Sequence, residues 1–154
     1  MKNIFKLMGI ALLAGTMFVA CSDDDDDNAI TVNFNGTSWS TNETLSVIPM
    51  GPDMIEVDIY HNDEEALEIV CGATEGTHTM SADPDYYIYF WDESGVPYEQ
   101  FKPESMIEIT DLDFDQLTGT VSADLNAEVS HNGNDYYTLT AKVRDANFAV
   151  EASK

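Results

Sequence analysis

From residue 30 onward, hydrophobic and polar residues alternate with a period of two. Ile30, Val32 and Phe34 interleave with Thr31 and Asn33, and Ile55, Val57 and Ile59 interleave with Glu56 and Asp58. The same rhythm runs through "ETLSVI" (43–48), "ALEIVC" (66–71), "THTM" (77–80), "YYIYFW" (86–91) and "MIEIT" (106–110). Between 117 and 129, Leu117, Val121, Ala123, Leu125, Ala127 and Val129 all hold odd positions. Tyr137, Leu139, Ala141 and Val143 answer them, and a last segment, 147–152, offers Phe148 and Val150. A period of two puts successive side chains on opposite faces of a strand. It predicts half-buried antiparallel strands, with Glu56 and Asp58 turned outward. Beyond the first twenty residues, no window shows a helical apolar stripe longer than a turn or two.

The connections agree. "PMGPD" (49–53), "HNDEE" (61–65), "ADPD" (82–85), "DESG" (92–95) and "SHNGND" (130–135) are turn chemistry at short intervals. Asn35-Gly36 suits a two-residue hairpin turn, with Trp39 returning to the core. Nine or ten short strands in sequential order predict an all-β fold. Two forms fit, an antiparallel β-sandwich or an up-and-down barrel-like meander, and the sandwich is favoured. About 125 residues, 30–154, are one ordinary domain.

The N-terminus follows other rules. "MKNIFK" carries Lys2 and Lys6 and no acid, and residues 7–20 carry no charge. A basic start, a short apolar run and small residues at its end predict a signal peptide over residues 1–20. The run is shorter than the ~20 residues a spanning helix needs. Cleavage after Ala20 would leave Cys21 first. "FVAC" (18–21) resembles the lipobox of bacterial lipoproteins, which implies that Cys21 receives a diacylglycerol and an N-acyl chain. Several chains, at about 0.8 kcal/mol per buried methylene, make a firm membrane anchor.

Five aspartates follow. A block of like charges repels itself and stays solvated, so residues 21–29 read as a disordered tether. Ser22, Asp23, Asp24, Asp25, Asp26 and Asp27 also resemble the acidic export stretch of Bacteroidota lipoproteins. That resemblance implies an outer-membrane protein facing the cell exterior. The order of "FNGTSW", "GTHTM", "IEITDLDFDQLTGTVSADL" and "DANFAV" is similar to that of small uncharacterised lipoproteins of the same group. It implies an all-β domain and a surface location, and brings no catalytic residue with it.

Charge narrows the partners. The chain holds 29 acidic and 6 basic residues, and loss of Lys2 and Lys6 with the signal leaves a formal charge of −25. Such a field repels nucleic acid and bare anionic membrane. A hydrophobic share of 44% is too high for a disordered chain. With Cys21 lipidated, Cys71 stands alone. It shares a face with Leu67 and Ile69 and reads as a small buried hydrophobe.

No nucleophile elbow, H-E-x-x-H, phosphate loop or C-x-x-C is present, and no cofactor is expected. His61, His78 and His131 lie far apart, with no zinc-site spacing. Asp111, Asp113 and Asp115 in "DLDFDQ" are a weak calcium candidate. Gln116 stands where an EF-type loop needs glycine, so a strand-to-turn corner is favoured. In "YYIYFW", Tyr86, Ile88 and Phe90 point one way, while Tyr87, Tyr89 and Trp91 point the other. The second set is the candidate ligand platform, suited to a glycan, a peptide or a partner protein. The expected function is a non-enzymatic binding or scaffold module. The alternative is a carboxylate-dependent hydrolase such as a glycosidase.

Overall fold

A computed structural model describes residues 29–115 and 118–150 of the chain. The predicted signal peptide, Cys21 and the aspartates lie outside these residues, as do the side chain of Asp115 and all of Gln116. Every described element is a strand, and all belong to one mostly antiparallel sheet curled into a half-barrel. Of the two architectures that the alternation allows, the chain takes the barrel-like one. A single continuous sheet wraps the core where a sandwich would need two.

The sheet is best followed from its long strands. β10 (Met106–Asp115), β11 (Thr118–Ser130) and β12 (Tyr137–Val150) form an antiparallel triplet. β12 is the hinge of the topology. Its first half pairs antiparallel with β1 (Ile30–Phe34), which carries β2 (Thr37–Thr41) on its far side. Its second half pairs in parallel with β3 (Leu45–Pro49), through Phe148 and Leu45. From β3 the sheet runs on through β4 (Met54–His61), β5 (Glu64–Gly72), β7 (Tyr87–Trp91) and the short β8 (Pro97–Tyr98). β6 (Gly76–Thr79) edges β10, and β9 (Gln100–Phe101) extends the same side of β11.

The long strands depart from simple alternation in one place. The segments 137–143 and 147–150, expected as two strands, are one. Inward positions are Leu139, Ala141 and Val143, then Ala146 and Phe148. Odd parity becomes even at Asp145, whose φ is +46°, where the register with β11 also shifts. This is a β-bulge. Ser122 of β11 holds it: its Oγ accepts the Asp145 N–H at 2.9 Å, and its hydroxyl lies 3.2 Å from Asp145 Oδ1. A second bulge falls in β10 between Ile109 and Asp111, where Thr110 donates to the Ser122 carbonyl at 3.2 Å. Both bulges therefore face the same residue. Arg144 braces the site from outside, with Nη2 on Asp124 at 2.7 and 3.0 Å and Nη1 on the Ala123 carbonyl.

Turns set the remaining registers. Asn35 and Gly36 have φ of +48° and +87°, the left-handed pair that a tight hairpin turn requires. Asn62 and Asp63, at +57° and +64°, do the same between β4 and β5 without glycine.

The core lies on the concave side. Leu45, Ile55, Ile59, Leu67, Ile69 and Ile88 from one half meet Ile30, Val32, Ile107, Leu125 and Leu139 from the other. Cys71 sits among them, wholly buried, with its thiol pushed up to about 12 by burial. It is an unreactive hydrophobe at neutral pH. The outer face of the central strands differs from expectation. Asp58, read as outward, is only 5% exposed, and Ser46 and Val70 near it are also buried. Asp58 stands in mid-sheet between Ser46 of β3 and Glu68 of β5, and side chains of flanking strands shield such a position.

The bulge pair makes a test. Ser122→Ala leaves the Asp145 N–H without its acceptor in a half-closed site. The expected loss is about 1–3 kcal/mol of stability, read as a lower urea midpoint with an unchanged slope. An unchanged midpoint would show that the bulge holds without the hydroxyl.

Candidate functional site

The rim near the β1–β2 turn gathers residues that are far apart in sequence. Trp39 is the one large apolar side chain in "TSWST", and its strand pairs only with β1. The β4–β5 turn brings His61 against it, stacked at 4.4 Å between ring centroids and 23° between planes. The β7–β8 connection brings Trp91, Asp92 and Glu93. Two cavities border this rim and share Trp39, Asp92 and Glu93. One, of about 200 Å³, adds Phe34, Thr37 and Phe90. The other, of about 410 Å³, adds His61, Glu64, Glu65 and Trp91. Both tryptophans of the chain therefore border the larger cavity.

The connection that carries Glu93 is firmly built. Asp92 Oδ1 accepts the N–H groups of Ser94 at 2.9 Å and Val96 at 3.0 Å, and Oδ2 accepts from the Tyr98 hydroxyl at 3.4 Å. Gly95 N–H closes on the Asp92 carbonyl at 2.8 Å. Asp92 is thus a turn cap, and Glu93 beside it is exposed to solvent. Beneath, Phe34 packs against Phe90, Tyr98 and Tyr137 with centroids 4.7–5.9 Å apart, an aromatic floor under the rim. Burial, and then Asp92, push the Tyr98 phenol above its ordinary range.

The candidate platform divides. Tyr87, Tyr89 and Trp91 share the outer face of β7 and are half-buried, alternating with buried Ile88 and Phe90. Tyr89 and Trp91 pack ring to ring at 4.2 Å, and Trp91 reaches the cleft. Tyr87 is committed elsewhere. Its hydroxyl donates to Glu68 and lies 3.3 Å from Glu56. Burial, then the Glu68 hydrogen bond and the two negative charges, push the phenol well above its usual range, so it stays protonated.

The other sequence candidates stay apart. Asp111 and Asp113 project from β10, which runs on in register to Asp115, paired with Thr118. Among the described residues, no group of three or more His, Cys, Asp or Glu is placed to hold a metal ion. His78 bonds the Thr74 carbonyl at 2.7 Å and His131 the Pro97 carbonyl at 3.0 Å, each in its own part of the fold. An interior gap of about 20 Å³ between the two halves is lined almost wholly by aliphatic side chains. It has room for little more than one water-sized sphere, so it is not a ligand chamber.

Sequence reasoning missed Trp39, His61 and Glu93. A signal was present. A lone tryptophan among Ser and Thr, just after a tight turn, has no apolar partner on its own strand. Such a residue either covers the core from an edge or faces a cleft, and Trp39 does both.

No protein-family model matches the chain, no curated protein is significantly similar to it, and no solved structure shares its fold significantly.

Geometry separates Phe90 from its neighbour Trp91. Phe90→Ala empties a fully buried site and is expected to lose roughly 3–5 kcal/mol. Trp91→Ala, on the half-buried face, should lose less than half of that. Paired thermal melts decide. An equal loss for Trp91→Ala would place Trp91 in the core and remove it from the cleft's ligand-facing wall.

Proposed function

We propose that this chain is a lipid-anchored cell-surface protein that acts by binding rather than by catalysis. Its ligand site is the cleft between Trp39 and Trp91. One observation carries the binding half of the reading: both tryptophans of the chain border a single cavity of about 410 Å³. That is the size of ordinary ligand pockets, which run from ~300 to 1,000 Å³. Large aromatics gathered at an open rim are uncommon without a partner to cover them. The chemistry around them supports holding a ligand rather than transforming it. Asp92 is occupied as a turn cap, and Tyr87 is a protonated donor between two carboxylates, not a nucleophile.

The anchor half rests on the sequence. An uncharged run ending in "FVAC" supports lipidation of Cys21, and Ser22 with Asp23–Asp27 supports export to the outer face of an outer membrane. A glycan, a peptide or a partner protein near the cell would then be the ligand.

Cys21→Ala should abolish labelling by a fatty-acid analogue and release the protein from the membrane fraction. Labelling of the variant at the level of the parent chain would remove the anchor from this reading. Replacing Asp23–Asp27 with alanine should leave lipidation intact but shift the protein to the periplasmic side, where protease added to whole cells cannot reach it. If the variant is digested as readily as the parent, the aspartates are a solvated spacer and not an export signal.

A further inference from the structure

Resting on the reading of the cleft as a ligand site, we infer that its ligand presents a positively charged nitrogen: the ammonium or guanidinium of a Lys or Arg side chain on a basic peptide segment. The larger cavity is bordered by Trp39 and Trp91 together with Glu64, Glu65, Asp92 and Glu93. None of its lining residues is a lysine or an arginine. The basic side chains of the described residues are Lys102, Lys142 and Arg144, and all lie on the β9, β11 and β12 side. Lys102 is paired with Glu128 at 2.7 Å and Arg144 with Asp124 at 2.7 Å, while Lys142 sits in register beside Asp124. Among the described residues, positive charge thus lies on one half of the molecule and none of it lines the cleft.

Four carboxyl side chains around one cavity repel one another when ionised. Glu64 opens β5 and Glu93 comes from the β7–β8 connection, and both are exposed. A cation between them relieves that repulsion and gains charge-assisted hydrogen bonds. Indole rings add to it, since the face of tryptophan is the best aromatic surface for a cation. His61, stacked on Trp39, holds that ring in place. A neutral sugar would gain the stacking but bring no charge to meet Glu64 and Glu93. An anion would meet them head on. An extended basic side chain offers an apolar stem to the indoles and a charged tip to Glu64 and Glu93.

The two tryptophans make the site its own reporter, because the chain has no others. The full chain in detergent would be titrated with tetralysine, with Nε-acetylated tetralysine and with a neutral glucose oligosaccharide, following tryptophan emission. Peptide held elsewhere on so acidic a chain leaves the indoles unperturbed. The inference expects a saturable change with tetralysine, weakened about tenfold or more when acetylation removes the charge. Glu64→Gln with Glu93→Gln should weaken it to a similar degree. Asp111→Asn with Asp113→Asn, which removes the same charge from β10, should leave it within about twofold, as expected for screened distant charges. An equal response to the acetylated peptide, or equal weakening in the two double variants, overturns the inference. A response to the oligosaccharide alone overturns it too but keeps the cleft as a binding site. Silence with all three ligands overturns the inference and takes the cleft out of the binding reading as well.

Discussion

Ser122 is opposed by an inserted residue on each side, and the shape of the whole sheet depends on that. Its hydroxyl serves the Asp145 bulge in β12, and its carbonyl receives Thr110 from the bulge in β10. Three long strands therefore bend at the same level. Without the bend, β12 would carry its inward parity from Leu139 through to its end, and Phe148 would face solvent. With it, Phe148 is buried, and β12 exchanges β1 for β3 as its neighbour along one edge. That exchange lets a run of β-hairpins curl back over its own start. It also joins β3 and the strands beyond it to the C-terminal triplet, through the one parallel pairing among the described residues.

The cleft is a by-product of the same exchange. Because β1 and β3 lie end to end along β12, the β1–β2 hairpin stands free of β3 and leans toward the far strands. The aromatic floor of Phe34, Phe90, Tyr98 and Tyr137 fills the space below. The acids on the two faces of this protein consequently do different things. Glu56 and Glu68 share the proton of Tyr87 in mid-sheet, Asp92 caps a connection, and Glu64 and Glu93 are left pointing at water.

The fold class was legible in the sequence because its cause is local. Alternation at Ile55, Val57 and Ile59 or at Ile30, Val32 and Phe34 is a direct statement about faces, and Asn35-Gly36 is a direct statement about a turn. The continuity of β12 was not legible, since a parity switch at Arg144-Asp145 looks the same as a break between strands until Ser122 is seen opposite it. The burial of Asp58 was hidden for a related reason: alternation says which face a side chain takes, but not whether neighbouring strands cover it. Part of the cleft could be read. Trp91 was singled out by its strand, whereas Trp39, His61 and Glu93 are brought together only by the strand registers and by the curl. Tyr87 shows the opposite failure. It has the composition of a ligand platform, yet its hydroxyl is held by acids on β5 and β4.

The hairpin at Asn35-Gly36 also gives the molecule a direction. The described chain joins the sheet at Ala29, where its carbonyl accepts from Arg144 N–H at 2.7 Å. β1 then carries it five residues, roughly 16 Å at strand rise, to the turn beside Phe34 and Thr37. The entry of the described chain into the sheet and the aromatic rim thus occupy opposite ends of one strand. A body tethered at that end would carry the indoles at the end of β1 farther from its tether.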